Sequence, residues 1–395
     1  MTPRLGLVTA ILAVGQILGW GTTFYLPGII GRDIARDLSL SSEAAYGGIT
    51  VMVVTSAVLS PIVGRWLDRY GTRWFMAGGS LLMAGGLAAL SQVTSLAGYL
   101  AAWGLIGVAS VFCLSLPATT TLAQVAGPAA RRSMVVLMLF TGLSSSVVWP
   151  ITAFLEPMLG WRTICVVYAA AHLLITFPLH AFGLPDRSFV VSAGDAKAAP
   201  AAAAVPAERR TLAFAAVAAA FSLSGFVSWG LSLHIIELLH AGGLREPVAV
   251  ALGSAMGLLQ VSARVFEFLL GNRVSPVASV LVSTALLPLS FAVFLLGMGS
   301  PPAAIAFLTL YAVATGLIAV GRATLPLWLF GAATYGSASG RLMLAQNIAF
   351  GLAPVVFAAA LDTGLRTALA LALVSGLASL AAMIVVARIA RQTPV

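Results

Sequence analysis

The residues most able to do chemistry are three charged side chains that lie inside long apolar stretches. In the stretch 248–270, Arg264 and Glu267 are three residues apart, so on a helix they lie on one face and can form an ion pair. A guanidinium group also binds a carboxylate through two parallel hydrogen bonds. Arg264 therefore has three interpretations: an anion-binding residue, which we favour, a partner of Glu267, or a side chain extending to the aqueous surface.

The same helical face is marked by small and polar residues at three- and four-residue steps, which are Gly253, Gly257, Gln260, Arg264, Glu267 and Gly271. Arg322 lies about midway along the stretch 303–330, with no acidic residue of that stretch within helical reach. Its countercharge must come from another helix or from a bound molecule. Two arginines against one deeply placed carboxylate predict an anionic substrate.

Proton binding needs a titratable group, and the apolar stretches offer Glu267, His234 and His172, with Glu156, Glu237 and Asp362 near their ends. Glu267 is the strongest candidate, because an anion that competes for Arg264 would leave the carboxylate free to take up a proton. A histidine inside a helix bundle is often only a hydrogen-bonding residue. For His234 a proton-carrying role and a structural role therefore both stay open.

The composition identifies the solvent of these stretches. Of the 395 residues, 60% are hydrophobic and only 8% charged, which excludes a water-soluble fold. The net charge of +9 comes from basic residues scattered singly, whereas nucleic-acid-binding proteins cluster them, so no nucleic-acid partner is predicted. Cys113 and Cys165 both lie in apolar runs and suggest neither a disulfide nor a metal site.

No nucleophile–base pair and no glycine-rich phosphate loop is present in the sequence, so we predict no enzymatic activity and no cofactor. A bilayer core about 30 Å thick needs roughly 20 apolar residues per helix. Twelve such spans are predicted, at 5–29, 45–66, 74–92, 96–123, 134–156, 162–184, 211–238, 248–270, 276–297, 303–330, 341–360 and 367–388. Residues 185–210, rich in alanine and proline, form the one predicted linker.

Loop charges predict the orientation, because cytoplasmic loops carry the excess of lysine and arginine. With the N-terminus inside, fourteen of the 21 basic residues lie on the cytoplasmic side and five on the other, with Arg264 and Arg322 inside spans. Both termini and the linker are therefore predicted to be cytoplasmic.

The two halves of the chain are similar to each other. At an offset of 209 the sequence repeats Trp20-Gly21 as Trp229-Gly230, Tyr25 as His234, Gly107 as Gly316 and Leu116-Pro117 as Leu325-Pro326. At an offset of 204 it repeats Pro150 as Pro354, Gly160 as Gly364 and Arg162-Thr163 as Arg366-Thr367. A six-helix unit used twice is typical of one large transporter class, with its substrate site near the bilayer midplane.

The loop after the second span carries the most specific motif. Residues 64–73 read GRWLDRYGTR, in which Gly64 allows close helix approach and Gly71 allows a tight turn. Asp68, at a helix end, can pair with a nearby arginine and face a helix N-terminus. The motif resembles the G-x-x-x-D-R-x-G-x-R signature of the major facilitator superfamily, and the resemblance extends over the whole chain.

This resemblance implies an all-α polytopic membrane protein with twelve transmembrane helices in two six-helix bundles, 1–184 and 211–395, related by pseudo-twofold symmetry. It implies a monomeric secondary transporter of a small molecule by alternating access, whose cavity is lined by spans one, four, seven and ten. The implied gating motif is Gly64, Asp68, Arg69, Gly71 and Arg73. The implied substrate-binding residues, with Arg264 and Arg322, are Gln16, Trp20, Tyr25, Trp229, His234, Gln260 and Tyr311.

Within the superfamily, the buried Arg264 and the Gly160-Trp161-Arg162 sequence resemble the bacterial monocarboxylate and oxalate/formate porters, which implies a small organic anion, proton coupling or exchange, and the bacterial inner membrane. The lysine of some oxalate-type members is absent, and Gln346 and Asn347 occupy the polar positions of span eleven.

A drug or toxic-compound efflux antiporter of the same superfamily is the alternative. Span five carries a degraded form of the glycine and proline pattern of those antiporters, in Gly142, Ser146, Trp149, Pro150 and Ala153. A non-transporting receptor is less favoured, since it leaves the repeat and the buried arginines without a reason.

Overall fold

The computed structural model describes residues 5–186, 205–232 and 234–391, and within them it is helical, with no β-strand. The helices before the predicted linker are α1 (Leu5–Gly21), α2 (Pro27–Asp37), α3 (Ser42–Tyr70), α4 (Arg73–Ser91), α5 (Leu96–Cys113), α6 (Ser115–Val125), α7 (Ala130–Gly142), α8 (Ser144–Ala171) and α9 (Phe177–Gly183). After it come α10 (Arg210–Ser232), α11 (Ile235–Ala241), α12 (Glu246–Leu270), α13 (Pro276–Leu296), α14 (Pro301–Phe330), α15 (Tyr335–Thr363) and α16 (Leu365–Arg391).

The helices account for the predicted membrane spans. Ten helical segments of the described chain are long and apolar enough to cross a bilayer, and the shorter apolar α1 precedes them. One of the ten, Gly127–Gly183, contains two predicted spans, because Gly160 has φ 70° and ψ 159° and breaks α8 where spans five and six were expected to meet. The predicted fold class, a multi-pass α-helical membrane protein of twelve spans, is confirmed.

Large apolar side chains lie on the outer surface of these helices. Phe154 and Leu174 are each 71% exposed and Leu296 is 91% exposed. Such exposure is unfavourable in water but is expected where hydrocarbon is the solvent, and helices satisfy their backbone groups internally there. Cys113 and Cys165 are buried and unoxidised, as small apolar residues.

The structure divides into two compact units. The first unit comprises Met1–Pro200 together with Ala332–Leu344, and the second comprises Ala201–Gly331 and Ala345–Val395. Helix α15 therefore begins in the first unit and continues in the second. The predicted linker, 185–210, lies mostly outside the described residues, as do both chain termini, so the predicted boundaries 1–184 and 211–395 stay predictions.

Several predicted spans are interrupted, and the expectation of single helices at 5–29 and 211–238 is wrong. Helix α1 ends at Gly21, and α2 begins at Pro27, whose missing N–H is tolerated in a first turn. In the second half α10 ends at Ser232 and α11 begins at Ile235. Each break follows the repeated Trp-Gly pair, so the repeat extends to the point where the helix stops.

The predicted spans 96–123 and 134–156 are also broken, the first between α5 and α6 and the second between α7 and α8. Leu114 has φ −94° and ψ −140°, which separates α5 from α6. Pro117 cannot donate a hydrogen bond to the Cys113 carbonyl four residues earlier, and the Gln16 side chain donates to that carbonyl instead, at 3.4 Å. Between α7 and α8, Ser144 Oγ donates to Thr141 O at 2.7 Å, beside the weak helix former Gly142.

One arginine joins three helices of the first unit. Arg162 Nη1 donates to Ser91 O and Val93 O, both at 2.9 Å, and its Nη2 lies 2.9 Å from Asp37 Oδ2. Trp161 Nε1 donates to the same Asp37 oxygen at 3.1 Å. The cluster satisfies the carbonyls where α4 ends and the carboxylate where α2 ends, with α8 supplying the donors.

We expect Arg162→Ala to lower the free energy of unfolding by about 1–2 kcal/mol, mainly because the Ser91 and Val93 carbonyls lose a charged donor. Arg36→Ala is the control, because Arg36 is 80% exposed and its pair with Asp33 lies at the surface, where such pairs contribute little. Unfolding in mixed detergent micelles measures both, and equal losses for the two variants would contradict this account.

Candidate functional site

The Asp68 carboxylate lies at the N-terminus of α15. Its Oδ1 accepts the Gly336 N–H at 2.8 Å and its Oδ2 accepts the Ser337 N–H at 2.7 Å, both within the first unit. The first turn of a helix has unpaired N–H donors and a partial positive charge. In the described chain these backbone donors, and no arginine, satisfy the carboxylate.

Helices α3 and α15 approach backbone to backbone beside this contact. A Cβ on Gly64 would overlap the Gly336 carbonyl oxygen, and one on Gly340 would overlap the Ser60 carbonyl oxygen. Ser60 Oγ in turn donates to Gly340 O at 2.8 Å. The polar part of the contact therefore consists of three glycines, one hydroxyl and one carboxylate, and Met343 of α15 packs against an apolar cluster beside it.

The other residues of the predicted gating motif lie within the first unit. Gly71 has φ 82°, a conformation that favours glycine, and ends α3. Arg73 Nε donates to Ala181 O at 2.7 Å, and its Nη1 lies 2.6 Å from Asp186 Oδ2. The Arg69 guanidinium carbon lies 5.3 Å from the centre of the Tyr70 ring. Arg73 thus joins the start of α4 to the end of α9.

Gln16 and Trp20 belong to one hydrogen-bonded cluster in the first unit. Trp20 Nε1 donates to Gln16 Oε1 at 3.2 Å and lies 3.3 Å from Ser115 Oγ, which donates to the same Gln16 oxygen at 3.3 Å. Gln16 is fully buried. With its amide nitrogen on Cys113 O, its whole amide group is used to hold α1 against the break between α5 and α6.

The corresponding place in the second unit holds a cation. The Arg322 guanidinium carbon lies 4.8 Å from the centre of the Phe350 ring, which stacks on Trp229 with centroids 5.2 Å apart and planes at 11°. A Cβ on Gly225 would overlap the Phe350 ring and lie 2.8 Å from Arg322 Nη2, so glycine leaves the space that the ring and the guanidinium occupy. Among the described residues, no carboxylate pairs with Arg322, and its buried Nε and Nη2 have no hydrogen-bond partner.

The internal repeat relates these two clusters. At the offset of 209, Gln16 corresponds to Gly225 and Cys113 corresponds to Arg322. In the first unit the polar side chain, Gln16, therefore comes from α1, and the facing residue, Cys113, is small. In the second unit the polar side chain, Arg322, comes from α14, and the facing residue on α10, Gly225, is small.

The other predicted binding residues lie in several places. Gln260 Nε2 donates to Thr315 Oγ1 at 3.1 Å. Tyr311 is fully buried and its hydroxyl donates to Ser228 O at 3.1 Å. The Tyr25 ring meets Trp149 edge to face, and Trp149 Nε1 donates to Tyr25 O at 2.8 Å.

The predicted proton-carrying residues have different environments. Glu267 is 3% exposed, and its Oε2 accepts the Ser279 hydroxyl at 2.7 Å. His234 stands just before α11, with Nδ1 3.3 Å from Glu237 Oε2. Of the two predicted proton carriers, Glu267 is the more deeply buried, since His234 is partly exposed. Arg264, on the same helix as Glu267, is also partly exposed.

Sequence reasoning missed Phe350, Gly225 and Ser279 as neighbours of the buried charges. Gly225 could have been found, because the repeat aligns it with Gln16. Phe350 and Ser279 carry no such signal, since apolar and hydroxyl residues recur throughout the spans.

Comparisons with known proteins bear on the whole chain. A family model described as "Major Facilitator Superfamily" matches residues 9–354. No curated protein sequence gives a significant match. Three of the solved structures that match have sequence identities of 18% or less, so they show a similar fold and nothing further.

The first is the human organic anion transporter MFSD10 (TETRAN), with a TM-score of 0.73, 18% identity, and coverage of 97% of this chain and 100% of that chain. The second is the transporter FucP in the outward conformation, with a TM-score of 0.73, 15% identity, and coverage of 98% and 99%. The third is the proton:xylose symporter XylE bound to 6-bromo-6-deoxy-D-glucose, with a TM-score of 0.68, 12% identity, and coverage of 99% and 96%.

We expect Gly64→Ala to displace the start of α15, because the new methyl group overlaps the backbone of Gly336 and no flexible side chain is there to yield. Hydrogen exchange of the peptide spanning residues 335–344 should become faster in the folded protein. Gly78→Ala on α4 is the control, since a Cβ there meets nothing within 4 Å. Unchanged exchange in Gly64→Ala would show that the contact tolerates a side chain.

Proposed function

The chain belongs to the Major Facilitator Superfamily, and from this premise we propose that it is a secondary active transporter of a small, monocarboxylate-like organic anion. Secondary transport of a small solute follows from the family and the fold. The charge of the solute is the further step, and the buried guanidinium of Arg322 is the observation that supports it.

Arg322 lacks a countercharge in the described part of the chain. A cation at bilayer depth is unfavourable by about 2.5 to 3.5 kcal/mol or more unless something offsets it. The Phe350 ring face offsets part of this cost, by about 0.5 to 2 kcal/mol in cation–π contacts. Two buried nitrogens of the guanidinium, Nε and Nη2, still have no acceptor among the described residues. A carboxylate would accept one hydrogen bond from each nitrogen and neutralise the charge, whereas a hydrophobic cation would be repelled.

The surroundings of Arg322 suit the apolar part of such an anion. Trp229 is partly exposed and presents a large flat ring held in place by Phe350. We assign direct solute contact to Arg322 and Trp229, with Arg264, Gln260, Tyr25 and His234 as further contacts. Gln16, Trp20 and Tyr311 are assigned supporting roles, because hydrogen bonds already hold their polar atoms.

Two proteins of similar fold bear on the charge of the solute. One is an organic anion transporter, and the other is a proton:xylose symporter. A neutral sugar has no charge to satisfy Arg322, so we place anions first. Within the superfamily, the monocarboxylate and oxalate/formate porter branch remains our proposed assignment.

Alternating access gives the α3–α15 contact its proposed role. Asp68 holds the first turn of α15 against α3 in this conformation. We propose that the contact forms and breaks during each transport cycle, with Gly64 and Gly71 permitting the approach and Arg69 and Arg73 fixing the loop. We further propose a monomer in the bacterial inner membrane with both termini in the cytoplasm.

Coupling to protons is assigned in this proposal to Glu267, with His234 as the second candidate. The Ser279 hydroxyl donates to Glu267 Oε2 at 2.7 Å. Because Arg264 lies three residues away on the same helix, an anion that competes for this arginine would leave the carboxylate free to take up a proton in this proposal.

We expect Arg322→Gln to weaken organic-anion binding by about ten- to a hundredfold, because about 1.5 to 3 kcal/mol is lost with a charged hydrogen-bond donor. A thermal-shift screen of the purified protein against small carboxylates, inorganic oxyanions, xylose and hydrophobic cations finds the ligand, since a ligand of the folded form raises its melting temperature. Uptake of that ligand into proteoliposomes then compares the Arg322→Gln variant with the parent protein.

Arg273→Gln is the matched control, because Arg273 is exposed at the end of α12 and has no place in the proposed site. Arg322→Lys keeps the charge but loses the planar fork, so partial binding is expected. Stabilisation by cations or by xylose, with no effect of any anion, would overturn the proposed substrate class.

We expect Glu267→Gln to flatten the pH dependence of transport, because the amide cannot exchange a proton. Glu246→Gln, at an exposed position on the same helix, should keep the pH profile of the parent protein. Identical profiles for the parent and Glu267→Gln would remove Glu267 from the coupling mechanism.

A further inference from the structure

Two buried histidines of the first unit lie outside every role described so far. His172 and His180 are each 1% exposed; His172 begins a single wide helical turn, His172–Thr176, and His180 lies in α9 just after it. Such π-type turns are rare overall but frequent at functional sites. Pro178, which cannot donate to the carbonyl four residues earlier, is the second residue after the turn.

Both ring nitrogens of His172 face threonine hydroxyls. Nε2 lies 2.9 Å from Thr22 Oγ1, and Nδ1 lies 3.0 Å from Thr176 Oγ1. Each hydroxyl also reaches a helix carbonyl: Thr22 Oγ1 lies 2.7 Å from Leu18 O, and Thr176 Oγ1 lies 2.9 Å from the His172 carbonyl. The imidazole therefore bridges the C-terminal end of α1 and its own helix.

Counting protons shows what this arrangement selects. A hydroxyl has one proton to donate. If both threonines donate to their carbonyls, both nitrogens of His172 must carry protons, and the ring is an imidazolium. If His172 is neutral, one threonine must turn its proton away from a carbonyl and toward the ring. The surroundings of His172 thus accommodate two protonation states that differ in one hydroxyl orientation.

The surroundings of His180 accommodate one proton fewer than those of His172. Its Nδ1 lies 2.8 Å from Ser80 Oγ, which donates to Met76 O at 3.0 Å, so Nδ1 carries a proton and donates to the serine. Its Nε2 is buried against Gly15 and has no hydrogen-bond partner among the described residues. His180 is therefore neutral in this arrangement, and His172 is the residue whose surroundings accept an additional proton.

The ionisable groups near His172 are few. The wide turn packs against α1, α4, α8 and α9. Helix α1 has no ionisable side chain, α4 has only Arg73, which pairs with Asp186, and α9 has only His180. On α8 the ionisable residues are Glu156, Arg162, Cys165 and Tyr168. The one carboxylate, Glu156, is about four helical turns away, so no acid holds an imidazolium here permanently and the proton can leave.

We propose that His172 is a proton-binding site of the first unit, and that its protonation decides whether the Thr22 hydroxyl donates to the Leu18 carbonyl or to the imidazole. Protonation adds the Thr22 hydroxyl as a second donor to the Leu18 carbonyl, which already accepts the Thr22 N–H at 2.9 Å, and deprotonation removes this second donor, directly beside the break that separates α1 from α2. This site is separate from Glu267 in the second unit. The inference rests on the proposed transport function only in linking the proton to the movement of a solute.

The protein has four histidines, so selective ¹⁵N labelling of histidine gives a simple spectrum. In lipid-embedded protein we expect the resonance that is missing in His172→Gln to change reversibly from the neutral to the imidazolium form as the pH is lowered. His240 is exposed and its resonance serves as the internal reference. If His172→Gln does not fold, the His180→Gln, His234→Gln and His240→Gln variants assign the resonance by elimination.

Thr22→Val removes the hydroxyl acceptor at Nε2, so His172 should take up its proton roughly tenfold more weakly, the equivalent of one hydrogen bond. Thr23→Val is the matched control, because Thr23 Oγ1 donates to Gly19 O at 2.5 Å in the same turn but makes no hydrogen bond to a histidine in the described part of the chain. A His172 resonance that keeps one neutral form over the whole pH range in which the protein stays folded would overturn the inference, as would equal effects of the two valine variants.

These outcomes are independent of the proposed substrate. If no anion stabilises the parent protein, or if Arg322→Gln binds anions as well as the parent does, while the His172 titration is intact, the proposed function alone is overturned. A His172 that never binds a proton, in a protein that binds anions through Arg322, would overturn this inference alone.

Discussion

The absence of water from the bilayer core is the constraint on which the rest of this structure depends. A polar group placed there must find its partner within the protein or remain unsatisfied at a cost of several kcal/mol. Hydroxyls meet the constraint locally: Thr119, Thr120 and Thr121 each donate to a carbonyl of their own helix. Interrupted helices meet it through distant side chains, as where Gln16 takes the carbonyl that Pro117 leaves free.

The same constraint explains how the two halves differ. Gln16 and its cluster are satisfied internally, so the first unit has a polar centre held by its own hydrogen bonds. Arg322 stands at the repeated position with an aromatic neighbour and, among the described residues, no acid partner, so its Nε and Nη2 are left unsatisfied in the second unit. Exchange of a glutamine for a glycine and of a cysteine for an arginine thereby separates a structural role from the proposed binding role at equivalent places in the repeat.

The sequence was sufficient for features that depend on local physics. Apolar stretch lengths predicted the spans, and the GRWLDRYGTR loop predicted a carboxylate at a helix end. The breaks after Gly21, Leu114 and Ser232 were not predicted, because hydropathy does not distinguish a continuous apolar helix from two short ones. Pro117 and Pro326 illustrate the difficulty: they are equivalent in sequence, yet of the two only Pro117 lies beside a break, where Gln16 donates to the carbonyl left free. The ring that covers Arg322 likewise depends on tertiary packing that no spacing reveals.

The crossing of α3 and α15 brings main-chain atoms together around Gly64, Gly336 and Gly340, while Met343 packs against a buried apolar cluster beside them. At Gly64 and Gly340 the nearest atoms across the contact all belong to the main chain, so no interlocked side chain holds the two backbones together there. In the proposed opening of this contact, the Asp68 oxygens and two amide hydrogens exchange each other for water molecules of nearly equal bonding strength. A large part of the cost of that opening is then the wetting of a narrow seam.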